Sequence, residues 1–258
     1  MPSFTLIKTY LLAALFLTSR EGFSQTSMTG TRDKDTSFNN AVNLYHRFLS
    51  PETGLYNGSE YTYYAYYPIV INEGHPFFQS KEFDTGSVFY NNILYENVLL
   101  QFDIVKEELL IKDPSLISII KLNTERVNWF IISGHTFVRP PQDKMNDPVL
   151  YPGFYDLLYN GNTALYKKTS KVLNEYSASI QGIYDYVVES DEYFVKRNAR
   201  YYKIKNKKSL LAVLSDSKKE LGQFIRKNKL SLKKNKDDSL KKILAYYDRI
   251  HNNTNAVN

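Results

Sequence analysis

The sequence contains no cysteine, which excludes disulfides, thiolate metal sites, a thiol nucleophile and the lipid-modified cysteine of a bacterial lipoprotein. Its 11 glycines are scattered, and none falls in a Gly-x-x-x-x-Gly-Lys phosphate-binding loop. The sequence also lacks a Gly-x-Ser-x-Gly nucleophile elbow and a Ser-x-x-Lys motif with its companion motifs. These absences remove the usual sequence signatures of nucleotide-binding proteins and of nucleophilic hydrolases.

Long hydrophobic runs are scarce, and the most prominent one lies at the start of the chain. Lys8 precedes an apolar run from Thr9 to Ser19, which is shorter than the roughly 20 residues that span a membrane. The small residues of Gly22-Phe23-Ser24 then suit a signal peptidase. We therefore predict a cleaved signal peptide over residues 1–24 and a mature chain that begins at Gln25. An uncleaved anchor or a buried N-terminal helix is the alternative.

Only four histidines are present, and none has a second ligand at a spacing typical of a metal site. We therefore predict no metal and no cofactor. His75 stands between a glycine and a proline, so its backbone geometry is specific and could present the ring to a ligand. The alternative is a turn histidine that bonds to backbone. The acidic pairs Glu82/Asp84 and Glu107/Glu108 could serve a glycosidase only at the right separation in space.

What the sequence has in abundance is tyrosine, with 22 residues. Tyrosine favours strands and half-buried surfaces. Strand patterns fill residues 51–206, and the clearest alternates Val98, Leu100, Phe102 and Ile104 with polar residues, as a half-buried strand does. Turn signals separate the strands at Asn91-Asn92, Asn160-Gly161 and Asn198-Ala199. The pattern predicts a mainly β (α+β) fold built on an antiparallel curled sheet or meander.

A tyrosine-rich run from Ser59 to Tyr67 ends at Pro68 and predicts a strand near the edge of the sheet. Its rings could form a stacking surface for a ligand. We assign Tyr64 and Tyr66 to such a surface, together with His75. The alternative is that these tyrosines pack against neighbouring strands.

Helical patterns frame this β region. A short N-terminal helix is expected within residues 25–50, after a flexible leader. At the other end, residues 207–258 predict two amphipathic helices packed on the β domain. Ser217 and Glu220 could cap the first of these helices. The second carries an apolar stripe at helical spacing, made of Leu240, Ile243, Leu244, Tyr247 and Ile250.

Charge is unevenly distributed along the chain. The net charge is +6, but the segment from Lys196 to Asn258 holds 18 Lys and Arg against 5 Asp and Glu, so that it carries +13 and the rest carries −7. Five lysines between the predicted helices could bind an anionic partner: Lys227, Lys229, Lys233, Lys234 and Lys236. The alternative is that they keep the helices soluble and compensate the acidic body.

Two stretches of the sequence are distinctive: Pro152-Gly153-Phe154-Tyr155-Asp156-Leu157-Leu158-Tyr159-Asn160-Gly161 and Tyr201-Tyr202-Lys203-Ile204-Lys205-Asn206-Lys207-Lys208-Ser209-Leu210-Leu211. Both resemble a family of exported proteins from Gram-negative bacteria of the Bacteroidetes type. Leu55 to Tyr61 and Gly74 to Phe78 look similar to the same family. The resemblance implies export and carries no catalytic or ligand-binding residue.

These observations lead to a functional hypothesis. We expect an exported, non-enzymatic protein of the periplasm or envelope, or a secreted one, that binds a partner or ligand. An envelope protein or an anionic lipid surface is the expected partner. Nucleic acid is not expected, because no recognised nucleic-acid motif is present and the chain is predicted to be exported. The alternative is a hydrolase that acts on envelope carbohydrate or peptide.

Overall fold

A computed structural model describes residues 54–64, 71–112, 118–140, 149–178 and 182–255. Within them, twelve strands form one sheet and three α-helices follow it, which confirms the prediction of a mainly β fold. The strands are β1 (Ser59–Glu60), β2 (Ile71–Glu73), β3 (Asp84–Tyr90), β4 (Ile93–Asp103), β5 (Glu108–Lys112), β6 (Ile119–Lys121), β7 (Val127–Ile132), β8 (His135–Val138), β9 (Tyr155–Asn160), β10 (Ala164–Ala178), β11 (Gly182–Arg197) and β12 (Arg200–Lys203). The predicted signal peptide, leader and N-terminal helix lie outside the described residues.

The sheet follows one antiparallel path in the order β1-β6-β5-β4-β3-β7-β8-β9-β10-β11-β12. β2 lies off this path and pairs with β11 in parallel. This parallel pair departs from the all-antiparallel prediction, because β2 reaches β11 from a distant part of the chain rather than through a hairpin. β1 is at the end of the strand order, as the edge prediction requires, but it spans only Ser59–Glu60; residues 61–64 are not in a strand, and residues 65–67 of the same run lie outside the described residues.

Two of the three predicted turns are confirmed at their positions. Asn91 and Asn92 join β3 to β4, and Asn198 and Ala199 join β11 to β12; all four residues have positive φ angles between 50° and 63°. Such angles are those of the type I′ turn that closes a two-residue hairpin. The third connection is longer than predicted: β9 includes Asn160, and the loop runs over residues 161–163.

Strand β4 shows what the alternation pattern predicts and where it fails. Val98, Leu100, Phe102 and Ile104 all lie in the main apolar core. The polar residues of the opposite face are also buried, with Gln101 3% and Asp103 0% exposed. The prediction of a half-buried strand was therefore wrong at this end, because distant parts of the chain cover the second face.

A row of paired residues crosses six strands and connects the two halves of the sheet. It runs in register from β3 to β11, through Val88, Phe130, Phe137, Asp156, Lys167 and Tyr193. The first three side chains belong to the main apolar core, and Tyr193 belongs to a second core beneath the helices. Charged residues therefore separate the two cores.

Three α-helices, rather than the predicted two, complete the described part of the chain: α1 (Lys207–Val213), α2 (Lys218–Lys227) and α3 (Lys236–Asn255). The predicted cap of Ser217 and Glu220 was wrong, because Ser217 makes no side-chain capping bond to α2. A capping box stands instead at α1, where Asn206 Oδ1 accepts the Ser209 N–H and Ser209 Oγ accepts the Asn206 N–H, each at 3.0 Å.

Candidate functional site

The helices form a rigid layer on one face of the sheet. Leu240, Ile243 and Leu244 of α3 are fully buried with Leu165 and Val195 of the sheet. Burial of apolar side chains at native packing density holds such a layer firmly in place. Any surface displayed by the helices is therefore fixed relative to the sheet beneath them.

A buried carboxylate also holds α3 on the sheet. Asp248, only 5% exposed, accepts hydrogen bonds from the Thr163 N–H at 3.0 Å, the Thr163 hydroxyl at 2.9 Å and the Tyr159 hydroxyl at 3.0 Å. These bonds satisfy a carboxylate that would be costly to bury without partners. They also explain why the loop between β9 and β10 is longer than the sequence predicted.

The segment 227–236, which we call the basic link, joins α2 to α3 through an ordered turn. The N–H of Leu230 donates to the Ile225 carbonyl at 3.0 Å, and the N–H of Lys229 donates to the Arg226 carbonyl at 3.2 Å. Lys229 has a φ of 51°. This is the Schellman arrangement that ends many helices, with lysine at the left-handed position where glycine is usual.

Two serines fix the rest of the basic link. The N–H of Ser231 donates to Ser239 Oγ at 3.2 Å, and the Ser239 hydroxyl donates back to the Ser231 carbonyl at 3.1 Å. Ser231 Oγ in turn accepts the N–H groups of Lys233 and Lys234 at 3.4 Å each. The lysines of the link therefore stand on a hydrogen-bonded turn with little conformational freedom in its backbone.

Four of the five predicted lysines, Lys227, Lys229, Lys233 and Lys234, are exposed. Among the described residues, none of them has an ion-pair partner. The lysines of the sheet behave differently, because each of the following pairs with a carboxylate: Lys121, Lys167, Lys168, Lys171 and Lys203. These ion pairs neutralise five lysines of the sheet, whereas the cations of the link remain uncommitted.

Lys236 has a different environment from the other four lysines. Its Nζ lies 4.1 Å from the centre of the Tyr193 ring, a cation–π contact. Burial lowers the pKa of Lys236, although the nearby Asp191 and Asp237 carboxylates oppose this shift. This lysine therefore packs on the sheet, and the exposed cations of the basic link are the other four.

The basic surface continues along α2. A shallow cleft there is lined by Lys218, Lys219 and Arg226, with Asp216 and Glu220 as exposed acidic neighbours. Among the described residues, these three cations have no ion-pair partner either. The basic link and the exposed side of α2 therefore offer seven uncommitted positive charges on neighbouring turns of chain.

Replacing Lys229 by glycine is expected to separate structure from binding. Glycine removes a left-handed penalty of about 1–2 kcal/mol but adds freedom to the unfolded chain, so we expect a net gain of roughly 0.5–1 kcal/mol in the free energy of unfolding. The same change deletes one cation, so any binding to an anionic partner should weaken. Urea unfolding and a binding titration measure the two effects.

The control for this prediction is Ala199→Gly in the turn between β11 and β12. Ala199 has a φ of 61° and is exposed, so the substitution should bring a similar gain in stability. It removes no charge and should leave binding unchanged. Weaker binding by both variants, or a loss of stability in Lys229→Gly, would contradict the separation.

The side chain of Tyr64, which we predicted to bind a ligand, makes its contacts within the protein. Its hydroxyl donates to both carboxylate oxygens of Asp103, at 3.0 and 3.1 Å, and the Tyr61 hydroxyl donates to the same carboxylate at 2.6 Å. Lys106 Nζ lies 4.3 Å from the Tyr64 ring centre and 4.5 Å from that of Tyr61. Burial and the Asp103 charge raise the pKa of both tyrosines. This cluster explains the burial of Asp103. Tyr66 lies outside the described residues.

His75 is linked to this cluster through Phe77, two residues later in the chain. Phe77 forms an isolated β-bridge with Asp103. The His75 ring stacks at 6.4 Å on Phe77, and its Nδ1 is buried without a hydrogen-bond partner. Burial chiefly lowers the pKa of His75, and the Lys171 charge adds to this effect. The ring is half-buried rather than displayed, so its ligand-binding role stays a prediction.

A histidine–carboxylate pair that the sequence did not suggest joins β8 to β9. His135 Nδ1 lies 2.6 Å from Asp156 Oδ2, and His135 Nε2 lies 3.0 Å from the Gln79 side-chain nitrogen. A neutral ring with its proton on Nδ1 satisfies both contacts, because Nε2 then accepts from the amide. The edge of Phe78 packs against the same ring at 5.1 Å. No motif marks this pair, because its members are 21 residues apart.

This pair leads to a pH-dependent prediction. Burial raises the pKa of Asp156 above its ordinary 3.8, although the His135 hydrogen bond opposes the shift. The folded chain therefore keeps a proton that the unfolded chain has lost, and the contribution of this group to stability falls as the pH rises above about 4. Asp156→Asn keeps an acceptor for the His135 Nδ1–H but removes the titrating carboxyl group. The free energy of unfolding of this variant, relative to that of the native protein, should therefore rise from acid to neutral pH.

Asp216→Asn is the matched control of opposite sign. Burial alone would raise the pKa of Asp216, but the Tyr247 hydroxyl, Arg197 and His251 together lower it. Its stabilising contribution is therefore present at neutral pH and is lost on acidification. Urea unfolding across the acid range measures both variants. If the relative free energies of unfolding of the two variants changed in the same direction with pH, the two carboxylates would not differ as described.

Searches for a metal site and for a membrane-spanning helix in the described residues, and for related proteins, gave no positive result. The described residues contain no group of three His, Asp or Glu side chains that could hold a metal ion. None of their helices has the length and apolar character to cross a membrane. No protein-family model matches the chain, and no curated protein or solved structure is similar to it. The resemblance to exported Bacteroidetes-type proteins therefore stays a prediction.

Proposed function

We propose that this is an exported, non-enzymatic protein of the bacterial envelope that docks on an anionic lipid surface through its basic link. The observation that carries the proposal is the contrast among its lysines. Five lysines of the sheet pair with carboxylates, whereas Lys227, Lys229, Lys233 and Lys234 are exposed and uncommitted on an ordered turn. Uncommitted cations held on a fixed surface can interact with an anionic partner without first breaking internal pairs.

The choice of lipid over an acidic protein rests on residue type. All the cations of the basic link are lysines. The lysine ammonium is a compact, strongly hydrated point charge and lacks the planar, two-pronged donor geometry of the arginine guanidinium. Such charges suit a diffuse field of headgroups better than a carboxylate that must be held in one geometry. Clusters of four to eight basic residues are typical of binding to anionic lipid.

Cosedimentation with vesicles tests the proposal. The protein should bind phosphatidylcholine vesicles that contain phosphatidylglycerol and should not bind phosphatidylcholine alone. Binding should weaken as salt rises, because exposed charges are screened beyond about 10 Å at 0.1 M. Equal binding to both vesicles would refute the electrostatic account. Binding to polyglutamate without binding to anionic vesicles would replace the lipid by an acidic protein partner.

Export is tested separately, by mass spectrometry of the protein recovered from its native cell. The proposal requires an N-terminus at or within a few residues of Gln25. An intact Met1 on a cytoplasmic product would refute export, and an envelope lipid would then no longer be the relevant surface.

A hydrolase remains a second candidate, favoured by one observation, the His135–Asp156 pair. A histidine oriented by a carboxylate can act as a general base. Here the side-chain amide of Gln79 is hydrogen-bonded to His135 Nε2, so a substrate would have to displace that amide. Release of reducing sugar from peptidoglycan or of peptides from casein, abolished in His135→Ala and retained in His75→Ala, would favour the hydrolase over the docking function.

A further inference from the structure

A polar cleft that shares no residue with the basic link lies where β1, β3, β5 and β6 come together. Its volume is about 550 Å³, within the range of roughly 300–1,000 Å³ found for small-molecule sites. The side chains that line it are mainly amides, hydroxyls and charges. They include Asn57, Ser59, Asn123, Thr124 and Arg126, together with the charged side chains of Glu108, Lys121 and Glu125.

The walls of this cleft are held by close internal contacts. A Cβ on Gly58 would lie 2.2 Å from the Lys121 carbonyl oxygen, so only glycine allows the chain to pass so near to β6. Arg139 Nη1 donates to the Thr124 carbonyl at 2.9 Å. Asn123 Oδ1 accepts the Glu125 N–H at 3.0 Å. The cleft is therefore part of the fold and does not require a ligand to form.

One cation in the cleft is uncommitted. Lys121 Nζ lies 2.8 Å from Glu108 Oε1 and is thereby neutralised. The Arg126 side chain is exposed, and among the described residues its guanidinium has neither a hydrogen-bond nor an ion-pair partner. Arg126 can therefore offer its whole planar donor fork to a ligand, and that fork matches a carboxylate.

We propose that the cleft binds a saccharide that carries a carboxylate. Arg126 holds the carboxylate, and the side chains of Asn57, Ser59 and Thr124 bond the ring hydroxyls. Amides and hydroxyls both donate and accept hydrogen bonds, as sugar hydroxyls do. The apolar residues of the cleft, Tyr90 and Leu122, are 1% and 2% exposed. They therefore offer little surface to a lipid tail or to an aromatic ligand.

Titration of the full chain with glucuronate, glucose and acetate, followed by amide chemical shifts, tests this inference. Glucuronate should bind, and glucose should bind about tenfold more weakly, in line with the loss of a charged hydrogen bond. Arg126→Ala should reduce glucuronate affinity to the level of glucose, and Arg126→Lys should restore part of it. Glu125→Gln should raise glucuronate affinity about two- to threefold by removing a nearby like charge.

The controls separate the cleft from general effects of charge and folding. Arg200→Ala removes an exposed arginine at the start of β12 and should leave glucuronate binding unchanged. Ser59→Trp should fill the cleft and abolish binding, and thermal unfolding confirms that each variant is folded. The proposal would be overturned if acetate or glucose bound with the same affinity as glucuronate. It would also be overturned if none of the three compounds produced a saturable chemical-shift change.

Discussion

Reversing Lys227, Lys233 and Lys234 to glutamate is expected to lower the affinity for phosphatidylglycerol-containing vesicles by at least about a hundredfold at low salt. Each lysine near an anionic membrane contributes about 1 kcal/mol, so three of them account for roughly two orders of magnitude. Reversal adds repulsion to this loss. The difference between variant and native protein should shrink as salt screens the charges. Vesicle titrations at several salt concentrations measure both effects.

The matched control makes the same charge change at exposed positions outside the helices. Lys81, Lys112 and Arg200 are exposed, and among the described residues they lack ion-pair partners. Reversing these three gives the same net charge but should lower vesicle affinity much less than the change in the link does, because none of the three belongs to the basic link or to α2. Equal losses in both triple variants would mean that net charge, and not the basic link, governs binding.

Replacing Leu244 by alanine is expected to have the largest effect on stability. Leu244 is fully buried in the core between α3 and the sheet. Loss of its burial and the cavity left behind should lower the free energy of unfolding by about 2–5 kcal/mol. This is a large part of the roughly 5–15 kcal/mol available to a domain. Urea unfolding followed by circular dichroism provides the measurement.

Lys242→Ala is the matched control on the same helix. Lys242 is exposed, and among the described residues it has no ion-pair partner, so its truncation should change stability by less than about 0.5 kcal/mol. Similar small losses in both variants would show that α3 does not pack on the sheet as described. The folded fraction of Leu244→Ala should still bind anionic vesicles, because its basic link keeps every lysine.

The features that the sequence predicted correctly depend on neighbours in the chain. The alternation from Val98 to Ile104 placed one face of β4 in the core, and Asn91-Asn92 marked its hairpin. Both signals are local, since side-chain direction repeats every two residues and a turn needs only its own backbone angles. The position of the lysines between two helices is a local signal as well, whereas their binding role stays a proposal.

The features that were missed depend on contacts between distant residues. Asp103 is buried by Tyr61 and Tyr64, which lie 42 and 39 positions earlier. Asp248 fixes a turn 85 positions before it. Neither contact leaves a periodic signal in the sequence. Charge counting likewise located the lysines but could not show which of them already have partners.

The capping error at α2 has a related cause. Ser217 and Glu220 match the spacing of a capping box, but a one-turn 3₁₀ helix over Ser215–Ser217 precedes α2 and buries Ser217. The Asn206–Ser209 box at α1 lacks the Glu or Gln that usually marks the motif. Spacing alone therefore predicted a cap in one place and missed it in another.

The most direct test of the central claim uses the absence of cysteine, because a single introduced thiol can be labelled without competition. Asn235→Cys places a nitroxide label within the basic link, and Thr85→Cys places it on β3; both positions are exposed, and neither substitution changes a charge. With phosphatidylglycerol-containing vesicles, the label at position 235 should become protected from a water-soluble relaxation agent, while the label at position 85 stays accessible. Unchanged accessibility at position 235 in the vesicle-bound protein, or protection at position 85 instead, would contradict the proposed docking surface.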